Sequence, residues 1–162
     1  MENFVSKGKP ESCSDSENSL LTRRVEIWSF GYKYGAMDAD AVFDVRFLPN
    51  PYYIETLCHF TGKDSACSAF VLQNADAQDF VEKLAALILA MRASADVHKK
   101  PAIKIAVGCT GGQHRSVAVA EEVAKRLQSL RAPGFGLHLE VHHRDAENWM
   151  LSEKSMYVHP LT

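Results

Sequence analysis

Apolar and polar residues alternate in several short segments of the chain, which is the pattern of strands with one buried face. In "VEIWSF", Val25 and Ile27 alternate with Glu26 and Trp28. A similar pattern runs through "ADAVFDVRFL" and "LHLEVHHRD", whereas "KIAVG" is continuously apolar, as in a central strand covered on both faces. These segments predict four strands. The polar residues on one face of "LHLEVHHRD" indicate that this strand lies at the edge of the sheet.

Two longer segments carry apolar residues at helical spacing. The first, "DAQDFVEKLAALILAMRAS", has Asp76 before its apolar stripe, and we expect this residue to be the N-cap. The stripe consists of Phe80, Leu84, Leu87, Ile88 and Met91. The second helix follows the loop after "KIAVG" and is marked by Val119, Val123, Leu127 and Leu130.

Strands that alternate with helices predict an α/β fold, here a single layered domain with a small, mainly parallel sheet flanked by helices. A length of 162 residues suits one domain. We predict a disordered leader at residues 1–22, a folded domain at 23–146 and a C-terminal tail at 147–162. The leader is rich in Ser, Glu, Lys and Asn and poor in aliphatic residues, so its composition does not favour packing.

The composition narrows the class of protein. A formal net charge of -2 gives no support to bulk nucleic-acid binding. The chain contains no apolar run near the roughly 18 residues of a membrane span, and its start lacks the apolar core of a signal peptide. We therefore expect a cytoplasmic protein without membrane contact. Its cysteines form no CxxC pair, which favours reduced thiols over disulfides or zinc, and the sequence calls for no cofactor or metal.

The segment "GCTGGQHRS" lies between a predicted strand and a predicted helix, where free backbone N–H groups and the helix dipole favour an anion. Its small and polar residues suit a phosphate cradle: glycines at 108, 111 and 112 allow close approach, Thr110 and Ser116 supply hydroxyls, and Arg115 can clamp two oxygens. The segment is not a Walker A loop, because no GKS or GKT closes it. The alternative is a tight turn with a surface arginine.

Cys109 and Arg115 have the C-x5-R spacing of cysteine-dependent phosphatases, in which the thiolate attacks phosphate. The alternative for Cys109 is a small residue that fills the end of a buried strand, and this is the favoured interpretation, since Gly108 stands where that pattern usually has histidine. A phosphatase would also need a general acid, for which Asp44 or Asp145 is the candidate. Asp44 shares a strand face with Arg46. The two residues either belong to a functional site or form a structural ion pair.

Basic residues at the ends of other strands add to the predicted pocket. His142 and His143 point to opposite faces of a strand, so they form a poor metal-binding pair. We expect one of them, with Arg144, to contribute to an anion pocket. The alternative is a polar strand end exposed to solvent. Lys33 and Tyr34 close the first strand and can face the same pocket, or form an ordinary glycine-flanked turn.

The motifs "SFGYKYG", "DADAVFDVRFLPNPYY", "TGKD", "GCTGGQHRSVAVAE" and "HHRD", in this order, closely resemble the C-terminal domain of the RapZ (YvcJ-like) family. The resemblance covers about Trp28 to Asp145. It implies a domain that senses glucosamine-6-phosphate and binds small regulatory RNAs, and here one that stands without the family's N-terminal P-loop kinase-like domain. The implied pocket consists of Cys109, Thr110, Gly111, Gly112, His114 and Arg115, with Arg46 and Arg144 as neighbours.

The chain departs from the RNase adapter of that family after "HRD". The adapter ends in a cluster of lysines and arginines, whereas "AENWMLSEKSMYVHPLT" has Lys154 as its one such residue. Contact along an RNA backbone needs several positive charges. The sequence therefore supports three hypotheses in this order: a non-catalytic sensor or adapter that binds an amino-sugar or hexose phosphate, a cysteine phosphatase, and an RNA-binding adapter. The oligomeric state is left open.

Overall fold

The computed structural model describes residues 23–130 and 136–149. Four strands are β1 (Arg24–Gly31), β2 (Ala41–Asp44), β3 (Ala102–Cys109) and β4 (His138–His143). Three helices are α1 (Ser65–Leu72), α2 (Ala75–Val97) and α3 (Arg115–Leu130), and three short 3₁₀ turns lie at Tyr32–Tyr34, Pro51–Tyr53 and Ala146–Asn148. The predicted leader at residues 1–22 lies outside the described residues.

The four strands form one sheet in the order β2-β3-β1-β4, and every neighbouring pair is parallel. This confirms the predicted α/β fold, with β3 inside the sheet and β4 at its edge. Gly31 pairs with Cys109, and Asp44 pairs with Gly108. Because the strands are parallel, their carboxyl ends meet at one edge of the sheet, and the loops that follow them lie side by side.

The core lies between the helices and one face of the sheet. Val25 and Ile27 of β1 are fully buried there, and the β3 residues of the same parity join them in one apolar cluster with α2 and α3. The opposite face is more polar, because Glu26, Trp28 and Lys104 lie on it and are partly exposed. In the described part of the chain, no helix is long and apolar enough to cross a membrane.

The N-terminus of α2 differs from the prediction. Asn74, not Asp76, caps this helix, since the Asn74 side chain accepts a hydrogen bond from the Ala77 N–H at 2.7 Å. Asp76 lies in the first turn, where its charge suits the helix dipole. Leu87, placed in the predicted buried stripe, is 46% exposed, and the buried face is formed instead by residues such as Val81, Leu84 and Ile88.

Two other elements differ in extent or were missed. β2 is Ala41–Asp44, so only four of the ten residues in the predicted strand "ADAVFDVRFL" are strand, and the chain leaves the sheet before Pro49. The sequence interpretation did not include α1, whose short segment "SACSAFVL" has no clear amphipathic stripe. It is stabilised by tertiary contacts that bury Cys67, Val71 and Leu72.

Candidate functional site

The loop between β3 and α3, residues 110–114, lies at the carboxyl edge of the sheet. Gly112 has a φ of 70°, in the left-handed region that favours glycine. The N–H of Lys33, just beyond β1, donates to the carbonyl of Thr110 at 3.1 Å. The loop therefore rests on the end of β1 and leads directly into the N-terminus of α3, where the first backbone N–H groups have no partner within the helix.

A cavity of about 370 Å³ opens beside this loop. Residues of the loop and its two ends form one wall, Lys33 another, and the segment after β2 a third. The lining consists of Lys33, Asn50, Tyr52, Tyr53, Cys109, Thr110, Gly111, Gln113, His114 and Arg115. None of these lining residues is acidic, so the cavity suits a negatively charged ligand.

Arg115 is only 5% exposed, so the alternative of a surface arginine is wrong. Its guanidinium donates to the carbonyls of Arg46 at 2.8 Å and Leu48 at 3.3 Å, and to the Thr110 hydroxyl at 3.3 Å. Its Nε is buried without a hydrogen-bond partner in the described structure. Arg115 thus joins the loop to the segment after β2, and it brings a positive charge to the cavity wall.

Cys109 ends β3 as a buried residue and also lines the cavity. Its Sγ accepts a hydrogen bond from the Gly112 N–H at 3.3 Å and is hydrogen-bonded to the Ser116 hydroxyl at 3.1 Å. Ser116 is fully buried and is not part of the lining. The hydroxyl predicted to contact a ligand therefore contacts the thiol instead.

His114 lines the cavity but is largely buried against the segment that precedes α1. Its Nε2 is hydrogen-bonded to the carbonyl of Cys58 at 3.1 Å. Burial lowers the pKa of His114, and the nearby Arg115 charge acts in the same direction. The imidazole is consequently neutral at pH 7 and can take part in hydrogen bonds but adds no charge.

Lys33 and Tyr34, which follow β1, differ in their relation to the cavity. The Lys33 amine lies near Gly111, since a Cβ built on that glycine would be 3.8 Å from Nζ. Tyr34 is exposed and is not among the lining residues, although its ring lies 4.7 Å from the Lys33 Nζ. Of this pair, Lys33 is the residue that the structure brings to the cavity.

Asp44 and Arg46 form a close ion pair at the carboxyl end of β2. The Arg46 Nη2 lies 2.6 Å from Asp44 Oδ2, and its guanidinium also lies 4.5 Å from the Tyr32 ring centroid. Hydrogen bonding to Arg46 is the main cause of the lowered pKa of Asp44. The side chains of both residues lie outside the cavity lining.

The residues at the end of β4 also lie outside the lining. Arg144 pairs with Asp145 and donates to the carbonyls of Gly31, Gly35 and Ala36. His142 stacks on Trp28 with a centroid distance of 4.3 Å, on the sheet face that the helices do not cover. His143 lies on the other face, hydrogen-bonded to Ser29 and Glu121. The expected contribution of His142 and Arg144 to the pocket is therefore not seen in the geometry.

Four lining residues, Asn50, Tyr52, Tyr53 and Gln113, were not among the sequence candidates. Three of them belong to "LPNPYY", which the sequence identifies as a rigid loop directly after a strand. This position could have identified them as candidate lining residues, because loops after parallel strands lie where α/β proteins bind ligands. Among the described residues, no three His, Cys, Asp or Glu side chains are grouped as metal ligands.

Fold and site together define an α/β domain with a glycine-rich loop at the carboxyl end of a central parallel strand. The model of the RapZ C-terminal domain matches residues 23–147, and the chain belongs to this family. The chain is 47% identical over 131 residues to "Nucleotide-binding protein YvcJ" of Bacillus subtilis, covering 80% of the chain and 42% of that protein.

Other relatives carry similar names. A "Nucleotide-binding protein" of Staphylococcus epidermidis is 47% identical over 131 residues, which are 80% of this chain and 42% of the relative. A "Nucleotide-binding protein" of Bacillus cytotoxicus is 49% identical over 125 residues, which are 76% and 41% of the two chains. The chain thus spans about two fifths of the length of these relatives.

Proposed function

We propose that this domain binds a phosphorylated small molecule of the hexose or amino-sugar class and acts as a non-catalytic sensor or adapter. The observation that carries the proposal is the cavity beside residues 110–114, at the N-terminus of α3 and with no acidic residue in its lining. A helix N-terminus next to a glycine-rich loop is a favourable place for phosphate, because N–H donors and the helix dipole act together.

The phosphate group would lie between the loop and Lys33. The Lys33 amine is exposed and close to Gly111, so it can move onto an anion without breaking a described ion pair. Thr110 accepts from Arg115 and keeps its own O–H as a donor. Arg115 adds a positive charge to the buried wall of the cavity, and its hydrogen bonds to the carbonyls of Arg46 and Leu48 keep its guanidinium in place.

The uncharged part of the ligand would contact the segment after β2. Asn50 and Gln113 offer amide groups for hydroxyls, and Tyr52 and Tyr53 offer both phenol groups and ring faces. Tyr53 is 81% exposed although it lines the cavity, so a ligand would bury apolar surface on it. A cavity of about 370 Å³ lies at the small end of the range for ligand sites, roughly 300–1,000 Å³, which favours a small polar compound.

A non-catalytic role is supported by the state of the two candidate acids. Asp145 is 5% exposed and is bound to Arg144 and to the Gly31 N–H, and Asp44 is bound to Arg46. Both carboxylates are held in hydrogen-bonded ion pairs outside the cavity lining, so neither is placed to protonate a leaving group there. Phosphatase chemistry stays the second candidate, because Cys109 lines the cavity and its Sγ accepts the Gly112 N–H at 3.3 Å in the loop that leads into α3.

The test is calorimetric titration with glucosamine-6-phosphate, with inorganic phosphate for comparison. Lys33→Met should weaken both ligands by roughly tenfold, as expected for loss of one charged hydrogen bond. Lys125→Met is the matched control, since Lys125 is exposed on α3 and pairs with Glu122. Saturable binding of glucosamine-6-phosphate that exceeds phosphate binding supports the proposal. No binding to the unmodified protein, or equal affinity in Lys33→Met, would contradict it.

A further inference from the structure

The turn after β4, residues 144–149, contacts the β3–α3 loop at Gly112, and none of its residues lines the cavity. The buried Asp145 carboxylate accepts a hydrogen bond from the Gly31 N–H at 2.7 Å. Arg144 holds this carboxylate through Nε at 2.9 Å and Nη2 at 3.0 Å. Asp145 is therefore fixed at the end of β1, which is the surface on which the loop rests.

Gly112 is the loop residue that lies next to this carboxylate. A Cβ built on Gly112 would be 2.7 Å from the Gly31 nitrogen and 3.0 Å from Asp145 Oδ2. Gly111 and Gln113 line the cavity, whereas Gly112 does not. Gly112, whose φ is 70°, thus lies outside the lining between two residues that belong to it.

The carbonyl of Gly112 is bound by Trp149. The indole Nε1–H donates to this oxygen at 2.9 Å, and the indole ring lies 5.5 Å from the His143 ring. Trp149 is partly buried and does not line the cavity. The bond therefore ties the carbonyl oxygen of Gly112 to a residue outside the cavity lining.

We propose that Trp149 is a positioning residue for anion binding, and that it acts by keeping the Gly112 carbonyl turned away from the cavity. This inference rests on the proposed function. A glycine in the left-handed region has little steric resistance to peptide rotation. Without the indole N–H, the Gly112 peptide can rotate, and a carbonyl oxygen that turns toward the cavity repels an anion. Asp145 supports the same arrangement by fixing the strand end against which Gly112 packs.

The experiment compares Trp149→Phe with Trp28→Phe. Phenylalanine at 149 keeps an aromatic ring next to His143 and removes the N–H donor. Trp28 lies on the opposite sheet face, stacked on His142, and is the matched control. In calorimetric titrations, Trp149→Phe should weaken inorganic phosphate and glucosamine-6-phosphate by the same factor, about three- to tenfold, the usual range for one hydrogen bond. Trp28→Phe should bind both as the unmodified protein does.

Two further measurements separate positioning from stability. The unfolding temperature of ligand-free Trp149→Phe should match that of Trp28→Phe. In Trp28→Phe, Trp149 is the remaining tryptophan, so its indole N–H resonance can be followed directly, and it should shift saturably during phosphate titration. Unchanged affinity in Trp149→Phe, or an indole resonance that does not respond to a ligand that binds, would overturn the inference while leaving the proposed function intact.

If the unmodified protein binds neither compound, the proposed function fails, and amide hydrogen exchange still decides whether Trp149 holds the loop. The Gly112 N–H, bonded to Cys109 Sγ, is the reporter. Faster exchange of this amide in Trp149→Phe than in Trp28→Phe would support the role of Trp149 in fixing the loop. Equal exchange rates in the two variants would overturn it.

Discussion

The backbone of Gly31 lies against that of Gly111, with no room for a side chain between them. A Cβ on Gly31 would be 2.6 Å from the carbonyl carbon of Gly111 and 2.8 Å from the nitrogen of Gly112. The end of β1 and the β3–α3 loop are thus in direct backbone contact. This contact places Lys33, two residues beyond Gly31, beside the loop.

Gly31→Ala should destabilise the fold. The φ of Gly31 is -108°, which alanine adopts readily, so the cost arises from the close contact and not from backbone strain. Displacing the loop should reduce the free energy of unfolding by about 1–3 kcal/mol, the usual range for overpacking. Urea denaturation checks this value. Gly111→Ala is the control, because a Cβ there would meet nothing closer than Lys33 at 3.8 Å, and its stability should be unchanged.

Gly111→Ala should instead weaken phosphate binding. The new methyl group would stand on the cavity wall, where a ligand needs close approach to the backbone. We expect at least a tenfold loss of affinity for glucosamine-6-phosphate by calorimetry. Wild-type affinity in this variant would show that the ligand does not contact residue 111, and would move the proposed phosphate position elsewhere in the cavity.

His143 should make the fold less stable in mild acid. Burial is the main cause of its lowered pKa, with Lys63 and His142 acting in the same direction and Glu121 opposing them. The unfolded chain has the ordinary histidine pKa of about 6.5, so below this pH it binds protons that the folded state does not. Stability should therefore fall as the pH decreases from about 7 through 6.5 to the folded-state pKa.

The matching measurement is the unfolding temperature of His143→Gln between pH 7.5 and 5. This variant should show a shallower loss of stability than the unmodified protein. Part of the slope should remain, because the pKa of His114 is also lowered by burial. His138→Gln is measured alongside it as the loss of an exposed imidazole on the same strand. An unchanged slope in His143→Gln would contradict the assignment.

Turnover of an aryl phosphate should be absent or independent of Cys109. Both candidate acids are held in ion pairs, and the thiol is buried at the end of β3. The check is release of nitrophenol from p-nitrophenyl phosphate by the purified protein and by Cys109→Ser. Activity that is abolished in Cys109→Ser would establish the phosphatase hypothesis in place of the non-catalytic one. Cys67→Ser controls for general loss of a buried thiol.

The sequence alone determined the features that depend on neighbours along the chain. Alternation located β1 and β4, and a short apolar run located β3 as an inner strand. Helical spacing located α2 and α3, so the glycine-rich loop between β3 and α3 was also predictable. The ordered motifs predicted membership of the RapZ C-terminal domain family, and the match over residues 23–147 confirms it.

The tertiary structure decided which side chains meet across separate elements. Arg144 and His142 were assigned to a pocket because of their charge and polarity, but Arg144 binds carbonyls and Asp145, and His142 stacks on Trp28. Asn50, Tyr52 and Tyr53 line the cavity because β2 lies next to β3. Strand order and side-chain packing depend on contacts between residues far apart in the chain, and local periodicity carries no information about them.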